Sequence, residues 1–191
     1  MITTTRSTNE DSFIEIVSKI LKKHGGRAYN GLGLSVLEHM LQTAEEAEAD
    51  GAKDHEIISG LLHDIGHFIV EFPSNMDNTE DTKHDEAGAL ILEPFFGPEI
   101  VEPIRLHVLG KRYLCTVEPA YFDCLSVPVK HTFRLQGGKM SPKEVADFEA
   151  FPYSSEAVNV RRWCDRGMTP GKKTKTFEDY HSLIEEQISK R

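Results

Sequence analysis

The run His63-Asp64-Ile65-Gly66-His67 sets three ionisable side chains inside the most apolar stretch of the chain, Ile57 to Val70. Burying such groups is costly unless each is paired or bound to a metal ion. On a continuous helix, positions 63 and 67 share a face and position 64 stands ~100° round from 63. His39 precedes this run, His84 and His107 follow it, and Asp165 lies near the C-terminus. Histidine and aspartate together suit iron, manganese or zinc. A single ion needs at most His39, His63, Asp64 and Asp165. His84 and His107 are then left for a second ion, with the Asp64 carboxylate bridging the pair. Two aspartates against two divalent ions leave the cluster cationic, which favours an anionic oxygen ligand. Taken singly, His84 also reads as a surface histidine opening a helix, and His107 as an exposed histidine near a helix end.

Helices must position these residues, because the spacing is helical nearly throughout and strand alternation is almost absent. Phe13, Ile14, Ile16, Val17, Ile20 and Leu21 outline a first helix that Gly25-Gly26 stops. Ser35-Val36-Leu37-Glu38 is a capping box, opening a helix that Asp50-Gly51 ends. The next helix begins near Asp54 and is apolar on most sides, as befits the centre of a bundle. Pro73 to Lys83 has the character of a mobile surface loop. Further helices are expected at 84–92, 98–108, 121–135, after the Ser141-Pro142-Lys143-Glu144 capping box, at 155–164 and at 176–189. The expectation is one all-α domain over residues 1–191, with residues 1–10 a flexible N-terminus.

A chain of 191 residues suits a single domain with a core of its own. Its net charge of −9 argues against a nucleic-acid binder, while leaving room for a local basic pocket. No segment reaches the ~18 apolar residues that span a bilayer, and the N-terminus lacks a signal peptide's apolar region. Cys115, Cys124 and Cys164 are odd in number and show no CxxC spacing. Neither a disulfide framework nor a thiolate zinc site is therefore expected, and a reducing cytoplasm is the default.

The ordered set His39, His63-Asp64, Asp165 resembles the HD-domain superfamily, which implies a helical bundle. The added His84 and His107 make it similar to that superfamily's mixed-valent di-iron oxygenases, above all those that cleave organophosphonates. Leu37-Glu38-His39, Leu61 through His67, Lys111-Arg112-Tyr113-Leu114 and Gln136-Gly137-Gly138-Lys139-Met140 carry the likeness, which runs from about Tyr29 to the C-terminal helix. The resemblance implies two iron ions as Fe(II)/Fe(III), one held by His39, His63, Asp64 and Asp165, the other by Asp64, His84 and His107. It implies that Tyr29 caps the second iron until substrate displaces it, and that His67, Lys111 and Arg162 grip a phosphonate. An anion of that charge calls for charge-assisted donors. Without the resemblance, Tyr29 is a loop aromatic, Lys111 a solvated lysine and Arg162 half of a surface ion pair. Thr132 and Gln136, four apart, could face the same pocket or simply pack a helix face.

One departure bears on the substrate. Relatives that act on an aminophosphonate carry a carboxylate three residues after the capping tyrosine, and here that position is Leu32. A buried primary ammonium needs acceptors, whereas a trimethylammonium has no N–H to satisfy. The implied partners are therefore O2 and a small N-methylated phosphonate, (R)-1-hydroxy-2-(trimethylamino)ethylphosphonate, split to glycine betaine and phosphate. The alternative is an HD-domain phosphohydrolase acting on a nucleotide or other phosphoester, which uses a similar core to activate water.

Overall fold

The computed structural model describes residues 6–29, 32–69 and 80–190, with side chains from residue 13 onward. It is all-α. Among the described residues the only extended pairing is an isolated bridge between Ala28 and Ser35. Helix α1 spans Arg6–His24, so its backbone takes in residues 6–10 of the stretch expected to be flexible; residues 1–5 lie outside the described residues. Helix α2 (Val36–Ala49) opens on the expected capping box, with Ser35 Oγ accepting from Glu38 N and Glu38 accepting from Ser35 N. Helix α3 (Asp54–Leu62) follows, then α4 (His84–Leu92) and α5 (Pro98–Val117). Short helices α6 (Pro119–Cys124) and α7 (Val127–Leu135) lead to α8 (Pro142–Ala150), α9 (Ser154–Arg166) and α10 (His181–Ser189). Most of the expected 73–83 loop falls outside the described residues.

Helices α2, α3, α5 and α9 pack on one another at the centre. Their buried faces supply Met40, Ala44, Ile58, Leu61, Ile104 and Val160 to the main core, and α1 and α10 close it with Phe13, Val17 and Ile184. Several boundaries differ from the sequence reading, among them the expected 176–189 helix, which is a 3₁₀ turn at Phe177–Tyr180 followed by α10. Helix α5 runs nine residues beyond Val108, through Gly110. A Cβ there would stand 3.1 Å from the Ala157 carbonyl oxygen, so the glycine is what lets α5 approach α9. The expected 121–135 helix is broken at Leu125 and Ser126, where the backbone turns extended before Pro128.

A further difference falls on the chemistry. The helix carrying His63 does not continue to His67. Helix α3 ends at Leu62, Asp64 leaves helical geometry at φ −102°, ψ 11°, and a 3₁₀ turn spans Ile65–Phe68. His63 and His67 are therefore not neighbours on one α-helical face. The break puts Asp64 at the hinge, with His67 three residues on and its Nε2 3.6 Å from Asp64 Oδ1. Gly66 makes the turn possible, because a Cβ there would overlap the His84 carbonyl oxygen and lie 2.8 Å from Gly88 N. Gly66→Ala is expected to destabilise the fold by about 3 kcal/mol, read as a lowered Tm in a thermal melt.

Candidate metal centre

Four histidines arrive from four elements: His39 from α2, His63 at the end of α3, His84 at the start of α4 and His107 within α5. All four are buried, as is Asp64. They form two groups. His39 Nε2 and His63 Nε2 lie 3.2 Å apart, and Asp64 Oδ2 lies 3.5 Å and 3.4 Å from them. His84 Nε2 and His107 Nε2 also lie 3.2 Å apart, and Asp64 Oδ1 lies 3.5 Å and 3.7 Å from them. One carboxylate thus faces both groups, one oxygen to each.

The outer ring nitrogens fix the tautomers. His39 Nδ1 lies 2.8 Å from Gly167 O, His63 Nδ1 2.8 Å from Gly60 O, and His107 Nδ1 2.7 Å from Ile104 O. A carbonyl oxygen can only accept, so each Nδ1 donates and each Nε2 turns its lone pair inward. At His39 and His63 these lone pairs face each other at 3.2 Å and repel unless something positive stands between them. Asp64 Oδ2 is buried with no hydrogen-bond donor of its own. Donors ~2.1 Å from a common ion stand roughly 3.0–3.4 Å apart in tetrahedral or octahedral geometry. These spacings and the unmet oxygen fit a metal ion in each group.

The electrostatics agree. Burial would raise the Asp64 pKa, but His63, His67, His84 and His39 around it hold its carboxyl well below the usual range. Burial pulls His67 down to about 4 and His107 to about 3, and takes His84 well below its ordinary value, with neighbouring imidazoles adding to the effect. These rings are neutral at neutral pH, as ligation requires. Burial also opposes charge on His63, yet Asp64, Cys164 and the Gly60 carbonyl together outweigh it and lift His63 to about 9. The carboxylate therefore calls for one positive charge among the imidazoles, which a proton or a metal ion can supply.

Asp165 does not join the cluster. Its carboxylate is engaged by the Arg161 guanidinium and the Tyr121 hydroxyl, on the outer side of α9. The residue turned inward is Cys164, whose Sγ lies 3.3 Å from His39 Nε2. His39, His63 and Cys164 form one group of possible ligands, and Asp64, His84 and His107 another. Burial opposes ionisation of the Cys164 thiol, but Arg161 and the two imidazoles bring it down to about 6.

A cleft opens over the Asp64–His84–His107 side. Of the residues expected at a substrate site, Tyr29, His67, Lys111, Thr132 and Gln136 line it. Tyr29 is buried, its ring stacked on His39 with centroids 4.2 Å apart. Burial and the Asp64 carboxylate push its phenol well above its ordinary pKa. Lys111 is buried and donates to Thr132 Oγ1 at 3.3 Å. Arg162 does not line the cleft; it pairs with Glu118 at 2.5 Å and its side chain is 40% exposed. The arginine that does is its buried neighbour Arg161.

Arg161 and Cys164 are the two residues that the sequence reading passed over. The signal for them was present: Ala157, Val160 and Cys164 follow the spacing of an inner helix face, and Arg161 falls on that stripe while Arg162 and Asp165 fall off it.

Residues 34–143 match the HD domain, and the chain belongs to that family. Within it, the chain is similar to enzymes named for phosphonate oxidation. It is 39% identical to the 1-hydroxy-2-(trimethylamino)ethylphosphonate dioxygenase (glycine-betaine-forming) of Leisingera caerulea, over 95% of this chain and 93% of that protein. It is 40% identical to the hydroxymethylphosphonate dioxygenase of Gimesia maris, over 87% of this chain and 84% of that protein. No helix among the described residues is long and apolar enough to cross a membrane.

Proposed function

We propose that this protein is a di-iron dioxygenase that cleaves the carbon–phosphorus bond of a 1-hydroxyalkylphosphonate, with (R)-1-hydroxy-2-(trimethylamino)ethylphosphonate its preferred substrate and glycine betaine and phosphate its products. The observation that carries this is one buried carboxylate, Asp64, facing two imidazole pairs beneath a cleft that also holds Lys111 and Arg161. Relatives matching nearly the whole chain are named for this chemistry. Iron, shared as Fe(II)/Fe(III), would supply the redox chemistry that O2 requires.

The chain's own residues do the rest. Lys111 and Arg161 bind the phosphonate oxygens, and their buried positions strengthen those bonds relative to solvated ones. Thr132 holds the Lys111 ammonium in place. His67, neutral and beside Asp64, is positioned to accept a hydrogen bond from the substrate or donate one to it. Tyr29 closes the cleft toward His39 and must yield space as substrate enters. The cleft wall also carries Glu80 and Asp81, carboxylates that complement a quaternary ammonium. Leu32 packs half-buried against the main core and is not among the residues that line the cleft.

The test is oxygen uptake alongside phosphate release with purified, iron-loaded enzyme. One O2 should be consumed per phosphate formed, with no release under anaerobic conditions; phosphate released without oxygen uptake would establish a hydrolase instead. The trimethylammonium substrate should be turned over with a kcat/KM at least tenfold above that of its primary-amine analogue, because a primary ammonium brings three N–H donors into the cleft and each one left unmet costs about 1–3 kcal/mol. Equal or reversed values would remove the N-methylated assignment. Hydroxymethylphosphonate, measured in the same assay, shows whether the ammonium is recognised at all.

The charge on Lys111 sets a pH dependence. Burial, reinforced by Arg161, brings its ammonium down to about 8. Below that pH Lys111 is cationic and pairs with the phosphonate; above it the charge is lost. The kcat/KM is therefore expected to fall on the alkaline side of an apparent pKa of about 8. Lys111→Met should lower kcat/KM across the range and abolish that alkaline limb, as read from a pH–rate profile.

A further inference from the structure

Three donors besides the Asp64 carboxylate converge where His39 and His63 meet, and one of them is sulfur. Cys164 Sγ lies 3.3 Å from His39 Nε2, and it and both imidazole nitrogens lie within 4.8 Å of one another. Asp64 Oδ2, 3.5 Å and 3.4 Å from the same nitrogens, has no hydrogen-bond partner. We propose that the Cys164 sulfur is a ligand of the ion held by His39, His63 and Asp64, so that the two metal positions of this chain are chemically unlike. One position carries sulfur; the other, at Asp64, His84 and His107, has only nitrogen and oxygen from the protein. The proposal rests on the metal-centre reading above.

The alternative ligand on α9 is Asp165, and the helix rules it out. Adjacent positions on an α-helix point ~100° apart. Turning Asp165 inward would swing Cys164 out of the core and strip Arg161 of its counter-ion. The buried stripe Ala157, Val160, Trp163 and Cys164 anchors the helix in its present rotation. A thiolate also carries the single negative charge of a carboxylate, so the charge balance of the pair is kept. Its side chain is one atom shorter, which the longer metal–sulfur bond, ~2.3 Å against ~2.0–2.2 Å for oxygen, partly offsets. Cys115 and Cys124 fall in no such group among the described residues.

The test uses the full-length protein, stripped and reloaded with zinc or cobalt(II) under reducing conditions. X-ray absorption of the zinc form should show a sulfur scatterer at ~2.3 Å, averaging half a sulfur per ion when both positions are filled. The cobalt form should show near-ultraviolet sulfur-to-metal charge-transfer absorption. Cys164→Asp should bind two ions and lose both signatures, and Cys115→Ser should keep them. Two bound ions with nitrogen and oxygen scattering alone would overturn the sulfur ligand while leaving the metal centre standing. Sulfur scattering that persists in Cys164→Asp would also overturn it. Failure to bind any ion would overturn both. Should Cys164→Asp not fold, as judged by circular dichroism, the wild-type scattering decides alone.

Discussion

Asp64→Ala should leave the protein unable to hold either metal ion, whereas His84→Ala should cost it only one. The difference follows from the carboxylate's two faces. Oδ2 is set toward His39 and His63, and Oδ1 toward His84 and His107. Removing it takes a donor and a negative charge from both groups at once. At His84 and His107 only neutral imidazoles then remain to face a cation, and at His39 and His63 the Cys164 thiolate alone offsets at most half the charge of a divalent ion, too little to repay its desolvation. His84→Ala leaves the His39–His63 group and the bridging carboxylate untouched. Metal analysis after exhaustive dialysis should therefore read two ions for the wild type, one for His84→Ala and essentially none for Asp64→Ala. Phosphonate-dependent oxygen uptake should fall by about three orders of magnitude or more in Asp64→Ala, a barrier change of at least ~4 kcal/mol. Retention of both ions by Asp64→Ala would show that the carboxylate is not shared.

Much of this arrangement could be read from residue types and order. His39, His63, Asp64 and His107 stand out because each interrupts an apolar helical pattern, and a buried ionisable group must find a partner wherever the chain takes it; His84, opening a helix after a polar stretch, joins them only through its place in the ordered set. Capping boxes at Ser35 and Ser141 fixed two helix starts through local chemistry that needs no tertiary information. The failures have one physical source, which is rotation about an axis. Nothing in the order of residues 63–67 shows that the α-helix stops at Leu62, since the stop depends on Gly66 fitting beneath the His84 carbonyl of another element. On α9, Asp165 was the more familiar ligand type, and the choice by type overrode the apolar spacing that points Cys164 inward. The absence of a CxxC pair says nothing about a lone thiol. A thiol needs no second cysteine when imidazoles from α2 and α3 come to meet it.

The same rotation makes two adjacent arginines behave as opposites. Arg161→Leu should raise the KM for the phosphonate by roughly 30- to 1000-fold, the equivalent of about 2–4 kcal/mol for a lost buried charge-assisted contact. Arg162→Leu should change it less than about fivefold, because an exposed pair of this kind contributes ~0–1 kcal/mol. Arg161 is buried, lines the cleft, and is held by Asp165 and by the Tyr121 hydroxyl, 3.2 Å from its Nε. Burial disfavours its charge, yet Asp165, with Cys164 and Tyr121, keeps it firmly protonated. Its guanidinium is thus fixed in place before the anion arrives. Arg162, one residue on, reaches outward to Glu118. Asp165→Asn separates positioning from direct contact: it should weaken phosphonate binding through a loosened Arg161 while leaving the two-ion stoichiometry unchanged. Loss of one ion in that variant would instead place Asp165 among the ligands and reverse the assignment of the helix face. Initial-rate kinetics of the three variants, with metal content measured on the same preparations, distinguish these outcomes.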